Sequence, residues 1–463
     1  MFYYKYMFTK SLRRISTLKD VLREKIPKQK QIINHMKKTY GNEIIDQVKL
    51  SQILSGSRGI KSIYWEQSIL DEMKGIKIRG YSIPECQSLL PKLNEGGEIQ
   101  PEGMFWLLMT GDIPSIEQVK LFQKEIMSRT YLSDEVEHFL KNIPRNIHPM
   151  NALSMGVMMC QNDSKFKISY DNKDNTNQHW ENVYDDALNI IAKLPLIAAS
   201  IFRKKYYNDY SPVIKNNDID YSANFCSMMG FKKSNFHEYM RLYLSIHADH
   251  EGGNASAHAS HLVSSTLADP YLSISSGINA LAGPLHGSAN SEVLKWILQL
   301  KELHHKSNID ITKESISRFV KSTIESGNVI PGYGHAVLKI TDPRYDCQRE
   351  FSLKHLPDDE LFLIVDQLYH VVPDILSKYE KIRNPYPNVD SHSGIILRHY
   401  GLKQYEYYTV LFAVSRSMGL LSQMVWDRAL NMPIERPKSI NYEYLHNHFK
   451  KYLFHKLGYN LYR

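Results

Sequence analysis

The chain has 463 residues, enough for one large domain or two unequal ones. Its 43% hydrophobic and 23% charged composition, free of low-complexity tracts, excludes a disordered or fibrous protein. The formal charge of +8 sits at the ends: residues 1–19 carry +5 and residues 437–463 carry +4, leaving −1 between them. A body so near neutrality argues against a broad nucleic-acid surface. Cys86, Cys160, Cys226 and Cys347 are scattered without a CxxC pair. That argues against a thiolate zinc site or redox couple and suits reduced thiols inside a cell.

The opening MFYYKYMFTKSLRRISTL mixes arginine, hydroxyl and bulky apolar residues without an acid. It reads as a mitochondrial presequence, with a boundary set near residue 25. The stretch from Tyr64 to Ile83 reads as a hairpin, the main strand signal in the chain. Beyond it helices dominate. In DDALNIIAKLPLIAASIFRKKY, Leu188, Ile191, Leu194, Ala198 and Ile201 recur at mostly helical spacing, with Pro195 expected to kink or interrupt the helix. SEVLKWILQLKELHHK places Val293, Trp296, Ile297 and Leu300 on one stripe. TKESISRFVKSTIESGNV is expected to stop near Gly327, and DDELFLIVDQLYHVVPDIL is a further helix. The longest nearly uncharged region, Leu262 to Ser291, is too polar to cross a bilayer. The class is mainly α.

Glycine-rich punctuation interrupts these helices. HADHEGGNASAHASH holds His247, His250, His258 and His261. Pairs three residues apart raise a metal site, yet HExxH is absent and Gly252-Gly253 makes one continuous ligand-bearing helix doubtful. Structural histidines and anion binding through His250 are the other readings. GPLHG sets His286 just before a helix that begins near Ser288, where the helix dipole disfavours imidazolium. PGYGHAVLKITDPRY joins a glycine loop to His335 and Arg344 without being a Walker or Rossmann loop. NVDSHSG supplies Asp390, either a general base or an ordinary turn residue. Arg416 falls in an apolar helical segment and Arg436 beside a proline turn. Each arginine is either a salt-bridge partner or a two-pronged carboxylate contact. Together, three arginines, a neutral histidine and a carboxylate suit proton removal next to a carbonyl and carbon–carbon bond formation through an enolate.

The ordered motifs HADHEGGNASAH, GPLHGSANSEVL, PGYGHAVLKITDPRY, PNVDSHSG, FAVSRSMG and ERPKS resemble citrate synthase of the eukaryotic mitochondrial type, from about Ser57 to Ser439. The resemblance implies a two-domain all-helical homodimer in the mitochondrial matrix. It divides the chain into a large domain (26–287 and 401–440) and a small one (288–400). It implies that His286 donates to the acetyl-CoA thioester oxygen, that His335 engages the oxaloacetate carbonyl, and that Asp390 takes the methyl proton. His250, Arg344, Arg416 and Arg436 would bind oxaloacetate, with Arg436 contributed across the dimer interface. Arg58, Val329, Ile330, Gly332, Tyr333, Gly334 and Lys339 would receive coenzyme A. No metal and no cofactor are implied, since acetyl-CoA is a substrate. Two departures bear on phosphate binding: Lys339 stands where the family often has arginine, and Thr176 occupies the place of another. The rivals are a 2-methylcitrate synthase using propionyl-CoA and a scaffold role on the same fold.

After ERPKS the chain continues as a basic aromatic tail, 441–463. Tyr442, Tyr444, Leu445, Phe449, Tyr452, Leu453 and Phe454 give apolar bulk, and Lys450, Lys451 and Lys456 give charge. An amphipathic helix is expected there. It would lie on the inner membrane, dock on another protein, link dimers, or pack against its own subunit or dimer mate.

Overall fold

The computed structural model describes residues 15–456, apart from Pro212, Ser288, Asn308, Ile309 and Lys381, and without the side chains of Asn177, Ser307 and 451–456. Residues 1–14 of the expected presequence and the tail side chains Lys451, Tyr452, Leu453, Phe454 and Lys456 lie outside the described residues, as does the expected helix start at Ser288.

Twenty α-helices account for most of the described chain. The long axis of the core is helix Tyr408–Leu430, buried along almost its whole length. It packs against helices His179–Tyr207, Pro270–Leu281, Pro101–Thr110 and Leu18–Tyr40. Every residue of Pro101–Thr110 is buried, and its ends carry standard signals: proline in the first turn and Gly111 in the left-handed conformation (φ 75°). Helix His179–Tyr207 runs unbroken through Pro195 and ends at Asn208 (φ 54°). The expected interruption is absent because this helix is buried on both sides of the proline. Packing outweighs the lost hydrogen bond.

The stripe Val293, Trp296, Ile297 and Leu300 is buried, as its spacing predicts. Helix Lys313–Glu325 stops before Gly327, whose φ is 78°. The hairpin forms as β1 (Ser68–Asp71) and β2 (Gly75–Ile78), and β3 (Tyr81–Ser82) extends it to a three-stranded antiparallel sheet. The third strand is only two residues long, too short for an alternation signal. No helix among the described residues is long and apolar enough to cross a membrane.

The described residues up to Met432 form one compact unit, and those from Pro433 onward form a second. The second contains helix Tyr442–Lys456, where Tyr442 stacks on His446 and Tyr444 on His448.

Candidate active site

The histidine stretch splits at its glycines. Helix Ser234–Ile246 ends before His247, and helix Ala255–Ser265 starts after the N-cap Asn254. The four histidines go to different places. His247 is fully buried, its Nδ1 2.8 Å from Tyr243 O and its ring against Tyr243 and Phe412; burial lowers its pKa to about 3. His261 pairs with Asp427 at 2.9 Å. His258 lies within helix Ala255–Ser265. His250 faces His335, with ring centroids 5.6 Å apart, and its Nε2 is buried with no protein partner. Desolvation, then Arg344, Arg416, His335 and His286, hold His250 well below the usual imidazole range. Among the described residues no three His, Cys, Asp or Glu side chains gather as metal ligands.

The loop bearing His250 is tied down on both sides. Asp249 accepts from Trp65 Nε1 at 3.0 Å and Ser68 Oγ at 2.6 Å, while Ser68 Oγ accepts from Glu251 N at 2.7 Å. A Cβ at Gly252 would lie 2.8 Å from the Trp65 ring, which explains a glycine there. From the core helix Tyr408–Leu430, Gly419 N donates to Ala248 O at 3.1 Å and Arg416 Nε to His247 O at 3.1 Å.

Arg416 is 2% exposed and has no carboxylate ion pair among the described residues; its other contacts are Asn254 Oδ1 at 3.5 Å and the Phe412 ring. Burial pulls its pKa down to about 10. A buried guanidinium so weakly partnered is a site for an anion. Arg344, also buried, is gripped by Asp342 through Nε (3.0 Å) and Nη2 (2.6 Å). Asp342 is at the same time the N-cap of helix Pro343–His355.

Two histidines have their tautomers set by main-chain donors. His286 Nε2 accepts from Ser256 N at 3.2 Å and lies 3.0 Å from Ser256 Oγ, so the ring proton belongs on Nδ1. Desolvation, then Arg416, lowers His286 to about 4. The N-terminal turn of Ala255–Ser265, reached across the fold, thus donates to the neutral ring. His335 Nδ1 accepts from Val337 N and Leu338 N, both at 3.0 Å, leaving its proton on Nε2. Desolvation and Arg344 lower its pKa.

Asp390 opens helix Asp390–His399, its N–H bonded to Asn388 Oδ1 at 3.0 Å. Desolvation raises its carboxyl to about 6, against the pull of Arg344 and Arg416. The glycine loop is laced to the same segment. Asn388 N donates to Gly332 O at 2.8 Å, Gly334 N to Tyr386 O at 2.9 Å, and Asn388 Nδ2 to Gly334 O at 3.1 Å. Tyr333 pairs with Pro387 in an isolated bridge. Within this loop Val329 is 83% exposed and Ile330 is in the core, so Ile330 presents only main chain. Lys339 is ion-paired with Glu72, and Arg58 lies exposed after helix Leu50–Leu54. Arg436 belongs to the second unit.

The structure thus gathers His250, His286, His335, Arg344, Arg416 and Asp390 into one electrostatic neighbourhood. The family model for citrate synthase, C-terminal domain, matches residues 56–438. The chain belongs to the citrate synthase family. It is 48% identical to the mitochondrial citrate synthase 4 of Arabidopsis thaliana over 94% of this chain and 91% of that one. It is likewise 48% identical to a probable mitochondrial citrate synthase of Glossina morsitans morsitans over 93% and 92%. The fold is similar to the crystal structure of Pyrobaculum aerophilum citrate synthase, with a TM-score of 0.73 and 27% identity, covering 86% of this chain and 97% of that one. It is also similar to Thermoplasma acidophilum citrate synthase, solved as a ternary complex with carboxymethyl coenzyme A and oxaloacetate, with a TM-score of 0.69 and 21% identity over 85% and 96%.

Sequence reasoning missed the residues that hold this citrate synthase site in shape. Asp342 had a signal, an aspartate directly before a proline that opens a helix. Ser256 and Asn388 had none, because each meets its partner only through the tertiary fold.

Proposed function

We propose that this protein is a mitochondrial-matrix citrate synthase that condenses acetyl-CoA with oxaloacetate and water to give citrate and coenzyme A. The observation that carries the reading is the pair of neutral histidines with opposite tautomers, His286 with its proton on Nδ1 and His335 with its proton on Nε2, beside a carboxyl raised to about 6 at Asp390. Asp390 takes a proton from the acetyl methyl. The His286 N–H stabilises the enolate oxygen as charge develops, which a lone carboxylate base requires. The enolate carbon attacks the oxaloacetate carbonyl, and the oxygen of that carbonyl takes a proton from His335. Water then releases coenzyme A from the citryl thioester.

Oxaloacetate carries two carboxylates, and the site offers Arg344, Arg416 and the partnerless Nε2 of His250. In this reading residues 288–400 carry His335, Arg344 and Asp390 as the smaller lobe. Arg436 reaches the site of a second copy in a homodimer. Exposed apolar side chains support such a dimer: Met155, Met158 and Met159, with Leu262 and Leu272, lie on helices that pack on one another. Coenzyme A would lie along Val329–Gly334 with its phosphates toward Arg58 and Lys339. A thiol-release assay with oxaloacetate and acetyl-CoA tests the whole reading. Preference for propionyl-CoA by specificity constant would move it to 2-methylcitrate synthase, and an inactive folded dimer would move it to a scaffold.

A further inference from the structure

The turn between β1 and β2 reaches the segment that follows His335. Lys339 N donates to Glu72 O at 2.9 Å, and the Lys339 ammonium pairs with the Glu72 carboxylate. Both side chains are more than half exposed, at 59% and 53%, so the pair faces dissolved anions. Nearby, Pro343 covers Gly75 so closely that a Cβ there would lie 2.6 Å from Pro343 Cδ. Main-chain bonding and packing already attach the turn to this segment. The charge of Glu72 is not needed for that attachment.

We propose that Glu72 tunes acyl-CoA affinity by competing with the phosphates of coenzyme A for Lys339. The proposal rests on the reading above that Lys339 meets coenzyme A. Lysine is a point charge with rotatable donors, so one ammonium cannot fully serve two anions on different sides. Glu72 is delivered by the tight turn between β1 and β2, with Asp71 paired to Gly75, and is bonded through its own carbonyl to Lys339 N. It is present at the ammonium at a high effective concentration before the substrate arrives. A phosphate must displace it or share.

The test is steady-state kinetics at low ionic strength with Glu72→Gln, Lys339→Gln and the double variant. Glu72→Gln is expected to lower KM for acetyl-CoA roughly 2–5-fold, the scale of an exposed ion pair. Its kcat and its KM for oxaloacetate stay at the wild-type values. Lys339→Gln raises KM for acetyl-CoA, and Glu72→Gln gives no gain in the Lys339→Gln background. Added salt shrinks the gain. If Lys339→Gln leaves KM for acetyl-CoA unchanged, the assignment of Lys339 to coenzyme A fails and the proposal falls with it. If Lys339→Gln raises KM but Glu72→Gln leaves it unchanged or lowers kcat instead, Lys339 keeps its role and the competition alone is refuted. Equal thermal midpoints for wild type and Glu72→Gln exclude misfolding as the cause of either result.

Discussion

At Asp390 desolvation and two arginines act in opposite directions, and desolvation wins, placing the carboxyl at about 6. Only the ionised form accepts a proton from carbon. Activity is therefore expected to fall as pH drops through about 6, with the carboxylate form retained above it. The His286 ring, held near 4, stays neutral across that range and does not contribute to this limb. A kcat/KM profile checks this, and a limb below pH 5 would remove Asp390 as the titrating base. Asp390→Gly is expected to lower kcat by ~10²–10⁴-fold and leave oxaloacetate binding nearly intact. Gly332 makes a different demand. It has φ 79°, and a Cβ would press on Ser391 Oγ and lie 2.8 Å from Val293 Cγ2. Ser391 follows Asp390 directly, so Gly332→Ala should disturb both the loop and the base. The expected loss is about 1–3 kcal/mol of stability together with a fall in kcat. A stable variant with unchanged kinetics would show that the backbone tolerates the side chain.

Whole elements were legible where periodicity and punctuation agree. The stripe from Val293 to Leu300, the stop at Gly327 and the hairpin from Tyr64 could all be read along the chain. Candidate site residues that the fold brings together were legible where glycine and histidine share a motif, as in GPLHG and PGYGH. What was not legible is contact between distant segments. Ser256 meets His286 thirty residues on, and Asp249 meets Ser68 of the hairpin from a distant loop. Composition also does not show where the first described helix begins. Helix Leu18–Tyr40 starts with a capping box, Thr17 with Asp20, and buries Leu18, Leu22 and Ile26. Lys19 pairs with Asp185 and Arg23 with Glu181. A cut at residue 25 would therefore pass through a packed helix. A chain starting at Thr17 keeps the capping box and all three buried residues. One starting at Ile26 loses two buried leucines and should be destabilised by roughly 3 kcal/mol or more. Equal midpoints for the two truncations would show that the first turns of this helix contribute nothing.

For the molecule as a whole, the candidate site residues His250, His286, His335, Arg344, Asp390 and Arg416 all lie before Met432, and Arg436 is proposed to serve a second copy. In the proposed reading the tail beyond ERPKS holds none of the site residues. Its helix Tyr442–Lys456 is exposed at Tyr442 (81%), Tyr444 (56%) and Phe449 (40%), and Leu445 is only partly covered. Tyr442, Leu445 and Phe449 fall at helical spacing and lie on one face, whereas Glu443, Asn447 and Lys450 fall on another. An aromatic face left in water is unfavourable, and burying it against another copy of the chain removes that cost. Deleting residues 441–463 is therefore expected to leave turnover per site largely intact, because Arg436 and everything before it remain. Sedimentation velocity should show the truncated enzyme as smaller or more readily dissociated species on dilution. Recovery on inner-membrane vesicles, measured alongside, separates the alternative occupant: loss of membrane binding with unchanged sedimentation would place the tail on lipid. Identical sedimentation and membrane recovery in the two proteins, or an unfolded truncation, would return the helix to packing within its own subunit.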